Sequence, residues 1–335
     1  MSVNFSWPIY GHQRQINFLQ TSLEQDSLAN AYLFYGSSGL GKKMIARYFA
    51  QSLFCQTVAD RPCQKCSNCH HVKQGTYADC YLLGQTQEEL SAENIKDFLS
   101  RLKLASAIGG RKLAIISQAD KINLFAANAL LKILEEPPKD TTIILIADQI
   151  DYLPATILSR CQLLKFQALD KKAMEDWLSN FSLPELEKAT ILNLSFGKPG
   201  RALNFMADNL ANFREQCNWL IKLLDLETLS ALQMLDNWFE VLKKDNLKAK
   251  VSDLSHSTLE YLDLLELFWR DLLWAKLDRK VLNVLYQKEI KDLSKKYSYT
   301  DILKNLLSIN KIKKQIKENV SPQILWENLV LNFKT

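Results

Sequence analysis

The sequence predicts an α/β domain, a mainly parallel sheet with helices on both faces, followed by a wholly helical remainder. Three observations carry this. Ala31–Lys43, AYLFYGSSGLGKK, runs from an apolar stretch through a glycine-rich turn into a helical pattern. Short apolar runs then alternate with helical patterns as far as residue 167, the signature of parallel strands joined by crossover helices. Beyond residue 209 the chain is rich in Leu, Trp and Lys, with only Pro322 as a punctuator. At 335 residues, 47% of them hydrophobic, the chain can fill more than one core.

The elements follow in order. Gly11–Glu24 reads as an amphipathic helix with Ile16, Leu19, Gln20 and Leu23 on one face. Ala31–Tyr35 is a buried strand, and Lys42–Phe54 a helix that turns Ile45, Tyr48, Phe49 and Leu53 inward. Ala78–Leu83 reads as the next strand, and Ser91 N-caps a helix over Ala92–Leu104. Gly109-Gly110 turns into strand Lys112–Ser117, and helix Leu124–Leu134 is stopped by Glu135-Glu136-Pro137-Pro138. Strand Thr141–Ala147, the helical turn Ala155–Leu158 and strand Gln162–Phe166 complete a domain over 1–167. Residues 168–208 hold three short helical stretches, broken at Pro184 and at Gly197-Lys198-Pro199-Gly200. That is too small to stand alone and is predicted to pack as a lid. In 209–335, stripes such as Leu264, Leu267, Phe268 and Leu272 read as core faces of a helical bundle.

Four of the seven cysteines, Cys55, Cys63, Cys66 and Cys69, form a C-x7-C-x2-C-x2-C cluster just after the helix that follows the glycine turn. Zn²⁺ favours four soft ligands in a tetrahedron, and C-x2-C spacing lets two thiolates grip one ion from a tight knuckle. Surface thiols at this spacing would otherwise invite oxidation. A closed, structural zinc site over 55–69 is predicted, with His70 and His71 as spare donors. Cys80, Cys161 and Cys217 are scattered and read as small core residues.

The glycine turn matches most of a phosphate-binding loop, G-x-x-x-x-G-K-[ST]. Gly36, Gly39, Gly41 and Lys42 are in place, so backbone N–H groups and a point charge could meet an anion. Lys43 stands where a hydroxyl should coordinate Mg²⁺. A hydrolase of this kind also needs an Asp-Glu pair at the end of a neighbouring strand, to hold Mg²⁺ and to polarise water. The matching strand ends in Ser117-Gln118, and Asp120 lies beyond it. Three functions are therefore missing. The reading is a loop kept as a strand-to-helix turn, with no productive binding of ATP and Mg²⁺.

No apolar run reaches the ~18 residues of a membrane span, and the N-terminus has no apolar leader after a positive one, so a cytoplasmic protein is expected. The net charge of +5 is mildly basic. The run Lys311, Lys313, Lys314 and Lys317 reads as a solvated helix face in preference to a phosphate-binding one.

Gly36–Lys43, the cysteine insert, Ala127–Pro138 (ANALLKILEEPP) and Ser159-Arg160-Cys161 occur in this order in the bacterial DNA polymerase III clamp-loader family, which the chain resembles. The degenerate loop and acidic motifs are similar to the delta-prime branch and not to the ATP-hydrolysing gamma/tau branch. The resemblance implies an AAA+ fold with a zinc-bearing insert, a helical lid and a C-terminal collar. It implies a hetero-pentamer with gamma/tau and delta subunits, serving the sliding clamp and primer-template DNA at the replication fork, with no membrane partner. It also implies a role for Arg160 as an arginine finger acting in trans on a neighbour's ATP. The family's nucleotide-sensing arginine in the lid falls on Gly200 here, and Arg201, one position on, should face elsewhere. Any enzyme class would be that of the polymerase holoenzyme, since no polymerase site is present. Two rival readings are an independent AAA+ ATPase built on Lys42, and a zinc-dependent nucleic-acid adaptor. The adaptor has little to work with: the cysteine segment carries Arg61, Lys65 and Lys73 and no cluster of stacking aromatics.

Overall fold

The computed structural model describes residues 4–57, 59–84, 90–207, 210–245, 251–318 and 320–334, and divides into two compact units. The first comprises Met1–Asn180 with Ser195–Arg201, the second Phe181–Leu194 with Ala202–Thr335. The 168–208 stretch expected as a lid thus contributes to both units. Its expected end, Asp208 and Asn209, lies outside the described residues, as does the side chain of Lys317.

In the first unit, β1 (Asn4–Phe5) precedes α1 (Gln13–Glu24), β2 (Ala31–Tyr35) and α2 (Lys42–Phe54). After these come β3 (Asp60–Arg61), α3 (Ser67–Gln74), β4 (Cys80–Leu83), α4 (Ala92–Lys103) and β5 (Lys112–Ile116). The unit continues with α5 (Leu124–Glu135), β6 (Thr141–Ala147), α6 (Ala155–Leu158), β7 (Gln162–Lys165) and α7 (Lys171–Leu178). The main sheet has the order β4-β5-β6-β2-β7 and every pairing is parallel. Because strand side chains alternate between faces, each central strand feeds two cores. Leu33, Ala114, Ile116, Ile143 and Leu145 pack with α4 and α5 through Phe98, Leu102, Leu130 and Ile133. Tyr32, Phe34, Leu113, Ile115, Ile144 and Ile146 pack on the other face with Leu19, Ile45 and Phe49 of α1 and α2. All seven residues of β6 are buried, as a central strand between two helical layers requires.

Several boundaries differ from the sequence reading. Helix α1 starts at Gln13 because His12 caps it with a left-handed backbone, φ 56°, and Gln20 is only half-buried. Strands β4, β5 and β7 are shorter by a residue or two at one end than the apolar runs suggested. In none of these strands does the shortened end change which residues line the core. The insert is not a bare knuckle: α3 forms within it, and β1 pairs with β3 in a small parallel ribbon.

The second unit is helical among the described residues, from α8 (Glu185–Ser195) and α9 (Pro199–Ala207), whose Ser195 and Pro199–Arg201 belong to the first unit, through α10 (Ala211–Asp225) and α11 (Thr228–Asp245). It ends with α12 (Val251–Lys276), α13 (Gln287–Ser294), α14 (Tyr299–Lys317) and α15 (Pro322–Lys334). Helix α12 buries Leu264, Leu265, Phe268, Trp269 and Leu272, while Leu267 sits half-exposed beside that face. No helix among the described residues is long and apolar enough to cross a membrane.

Candidate functional sites

The cysteine cluster is assembled by two helix ends. Cys55 closes α2, Cys66 is the N-cap of α3, Cys69 lies in the first turn of α3, and Cys63 sits on the loop between. The four Sγ atoms lie within 4.8 Å of one another. A tetrahedron with Zn–S bonds of about 2.3 Å has sulfur–sulfur edges of about 3.8 Å, so a small contraction seats the ion. Backbone N–H groups already point at the sulfurs: Cys63 N donates to Cys55 Sγ, Cys66 N to Cys63 Sγ and Cys69 N to Cys66 Sγ, each at 3.4 Å. Such donors favour thiolates. The Lys65 N–H, then the Thr57 hydroxyl and the Cys66 N–H, pull the Cys63 thiol down to about 6. Burial pushes Cys69 the other way. The knuckle is braced from outside, with Gln51 Nε2 donating to Cys69 O and Asn68 Nδ2 to Phe54 O, both at 2.9 Å. His71 Nδ1 meets Thr76 Oγ1 at 3.1 Å, and neither histidine joins the sulfur group. The donor set fits a closed zinc site. Outside it, Cys80 and Cys161 are pushed up to about 12 and about 11 by burial, and Cys217 is raised for the same reason, as core thiols should be.

The glycine turn keeps the phosphate-loop backbone. At Gly36, φ is 138° and an added Cβ would lie 2.2 Å from Phe166 O, so no other residue fits beside β7. Gly41 caps α2 in the left-handed region. The lysine, however, is occupied. Lys42 is buried, and its Nζ donates to Gly36 O, to Ser37 O at 2.9 Å and to Asp148 Oδ1 at 2.9 Å. All three ammonium protons are accounted for within the chain. Asp148 reaches this place through the sheet register: Ala147 pairs with Tyr35, so the next residue of each strand emerges side by side at the carboxyl edge.

The loop is also met by the Ser195–Arg201 segment of the same unit. Gly200 N donates to Gly39 O at 2.8 Å, and a Cβ on Gly200 would stand 2.9 Å from Gly39 Cα. The Arg201 guanidinium lies over the Phe196 ring at 5.3 Å. His12 Nε2 meets Leu40 O at 3.0 Å; its pKa is lowered by burial first and by the Lys42 charge, while the Leu40 carbonyl works the other way. A cleft of about 400 Å³ remains, lined by Ser38, Gly39, Lys43, Gln118 and Asp148 among others. Neither acidic position is rescued. Ser117 is buried, Gln118 Nε2 donates to Gly84 O at 3.1 Å, and Asp120 Oδ2 accepts Gln149 N at 3.2 Å.

Arg160 is held on the turn after α6. Its Nη2 pairs with Glu135 Oε1 at 2.7 Å, and Nη1 donates to Thr156 O at 3.0 Å and Ser159 Oγ at 3.2 Å. The structure brings together the four cysteines, and separately the glycines with Lys42; Arg160 bonds to neither group. Sequence reasoning missed Asp148 and Glu135. Asp148 could have been found as the residue just after the strand beside β2, had the strand order been known.

Residues 11–170 match a family model described as DNA polymerase III, delta subunit. Over 325 residues the chain is 32% identical to DNA polymerase III subunit delta-prime of Bacillus subtilis, covering 95% of this chain and 94% of that one. The chain belongs to the DNA polymerase III delta-prime subunit family. Its relation to the tau branch is narrower: 33% identity to the Escherichia coli tau subunit over 173 residues, 51% of this chain and 27% of that protein. Among solved structures, a gamma subunit-related protein of Thermotoga maritima shares the fold, with a TM-score of 0.53 at 15% identity over 94% of this chain and 98% of that one. The delta-prime relative matches through both units, and the tau match spans only about half of this chain.

Proposed function

We propose that this delta-prime-type DNA polymerase III subunit is a non-hydrolysing member of a clamp loader that completes the ATPase site of a neighbouring gamma/tau subunit with Arg160. The observation that carries the non-hydrolysing part is the internal capture of Lys42 by Asp148. An ammonium already neutralised by a carboxylate offers little to a β/γ-phosphate. Lys43, Ser117 and Gln118 stand at the metal and base positions, and none of the three side chains has a carboxylate to hold Mg²⁺ or to activate water.

Arg160 supports the trans role. A guanidinium remains charged at any working pH and presents paired donors to a phosphoryl group as charge grows on it in the transition state. It lies on a partly exposed turn, its side chain 35% exposed, within Ser159-Arg160-Cys161. Its position is fixed by α6 and β7 and not by a loose loop. The helical second unit would be the collar that joins gamma/tau and delta subunits in a hetero-pentamer, acting in the cytoplasm on the sliding clamp and primed DNA. Cys55, Cys63, Cys66 and Cys69 would hold Zn²⁺, which would cross-link the insert without taking part in chemistry.

The test is DNA-stimulated ATP hydrolysis by a loader reconstituted with this chain. Arg160→Ala should cost ~10³-fold at the one site that it completes, with assembly intact by gel filtration. An unchanged rate would leave the chain as a scaffold only. Turnover by the isolated chain, abolished by Lys42→Ala, would overturn the non-hydrolysing reading.

A further inference from the structure

The finger reading leaves one contact unexplained, the ion pair between Arg160 and Glu135. Glu135 is the last residue of α5, and Glu136 follows as its C-cap. Carboxylates are badly placed there, because the carbonyl end of a helix carries partial negative charge and favours Lys, Arg or His. Local helix energetics would select against Glu135. Its chief compensation in the structure is the guanidinium 2.7 Å away.

That guanidinium is folded back. Nη1 is spent on Thr156 O and Ser159 Oγ, both on its own turn, and Nη2 on Glu135 Oε1. A side chain so held does not reach outward. To meet a phosphate on a neighbouring molecule, Arg160 must release Glu135. Both partners are partly exposed, 35% and 49%, so the pair is weak enough to exchange. A polyphosphate, carrying several charges where Glu135 carries one, outcompetes the carboxylate. Displaced Glu135 is then repelled from the same phosphates, which favours the outward position further.

We propose that Glu135 is a latch on Arg160. It keeps the arginine folded back in the free chain and yields it only to the terminal phosphates of a nucleotide bound by the adjoining subunit. This rests on the finger reading and adds its regulation. Glu135 is a positioning residue: it touches neither nucleotide nor reacting atoms.

The test uses the reconstituted loader with wild type, Glu135→Gln, Arg160→Ala and the double variant. Glu135→Gln should raise DNA-stimulated kcat roughly two- to fivefold, the range an exposed pair can supply, and leave the KM for ATP unchanged. In the Arg160→Ala background, Glu135→Gln should change nothing. In the free chain, the Arg160 guanidinium nitrogens should give separated ¹⁵N resonances when latched and averaged ones in Glu135→Gln. Thermal stability should not fall, since the substitution removes a carboxylate from a helix C-terminus. An unchanged or lower kcat in Glu135→Gln, with Arg160→Ala still impaired, overturns the latch and spares the finger. An unchanged rate in Arg160→Ala overturns both.

Discussion

Two regions of the first unit carry ligand-binding motifs, and they have met opposite fates. In the cysteine insert, four sulfurs converge within 4.8 Å, and the donors on them, chiefly backbone N–H groups, leave the sulfurs' metal-binding capacity intact. In the phosphate loop the glycine backbone is equally well formed, yet the chain supplies its own counter-ion. Asp148 pairs with Lys42, and Gly200 closes on Gly39. The lesson is that a binding motif is judged by what already satisfies its charged group. Backbone geometry can persist for the sake of the fold, since a strand must still turn into a helix, long after the electrostatics have been cancelled.

The comparison can be broken first at the cysteines, where the largest effect is expected. One equivalent of zinc should co-purify, measured by atomic absorption. Cys69→Ser, which replaces the most buried thiol of the set, should abolish it and destabilise the first unit by several kcal/mol in a denaturant titration. Metal-free protein of unchanged stability would sink the zinc assignment.

A middle-sized effect should follow at the loop. Asp148→Ala leaves the Lys42 ammonium buried against two carbonyls alone, costing about 1–3 kcal/mol by the usual penalty for an orphaned buried polar partner. The same variant should gain affinity for inorganic pyrophosphate, detectable by calorimetry, because the amine is freed. If Asp148→Ala binds pyrophosphate no better than wild type, the self-occupation argument fails.

The smallest effect sharpens the picture of the loop's support. His12 titrates below its ordinary 6.5 in the folded chain. The unfolded chain therefore takes up a proton first as pH falls, so stability from this group is present above pH 6.5 and is lost as pH drops below it. The wild-type urea midpoint should decline between about pH 7.5 and 5.5 more steeply than that of His12→Gln. Parallel curves would mean that burial and the Lys42 charge do not hold the ring neutral.

Much of this was legible in the chain alone, for local reasons. Ala31–Tyr35, Lys42–Phe54, Thr141–Ala147 and Ala155–Leu158 fell where apolar period and turn residues put them. The cysteine spacing foretold the cluster of four sulfurs because its donors lie within fifteen residues of one another. The proposal of a non-hydrolysing subunit likewise starts from residue type, at Lys43, Ser117 and Gln118. What tertiary structure alone decided are the partners: Asp148 for Lys42, 106 residues apart, Gly200 for Gly39, and Glu135 for Arg160. The β1–β3 ribbon belongs with them, since two residues have no periodicity to read. Sequence specifies which groups a chain owns and which local shapes they favour. Which charge ends up facing which depends on strand order and register, and those are set by burying both faces of one sheet at once.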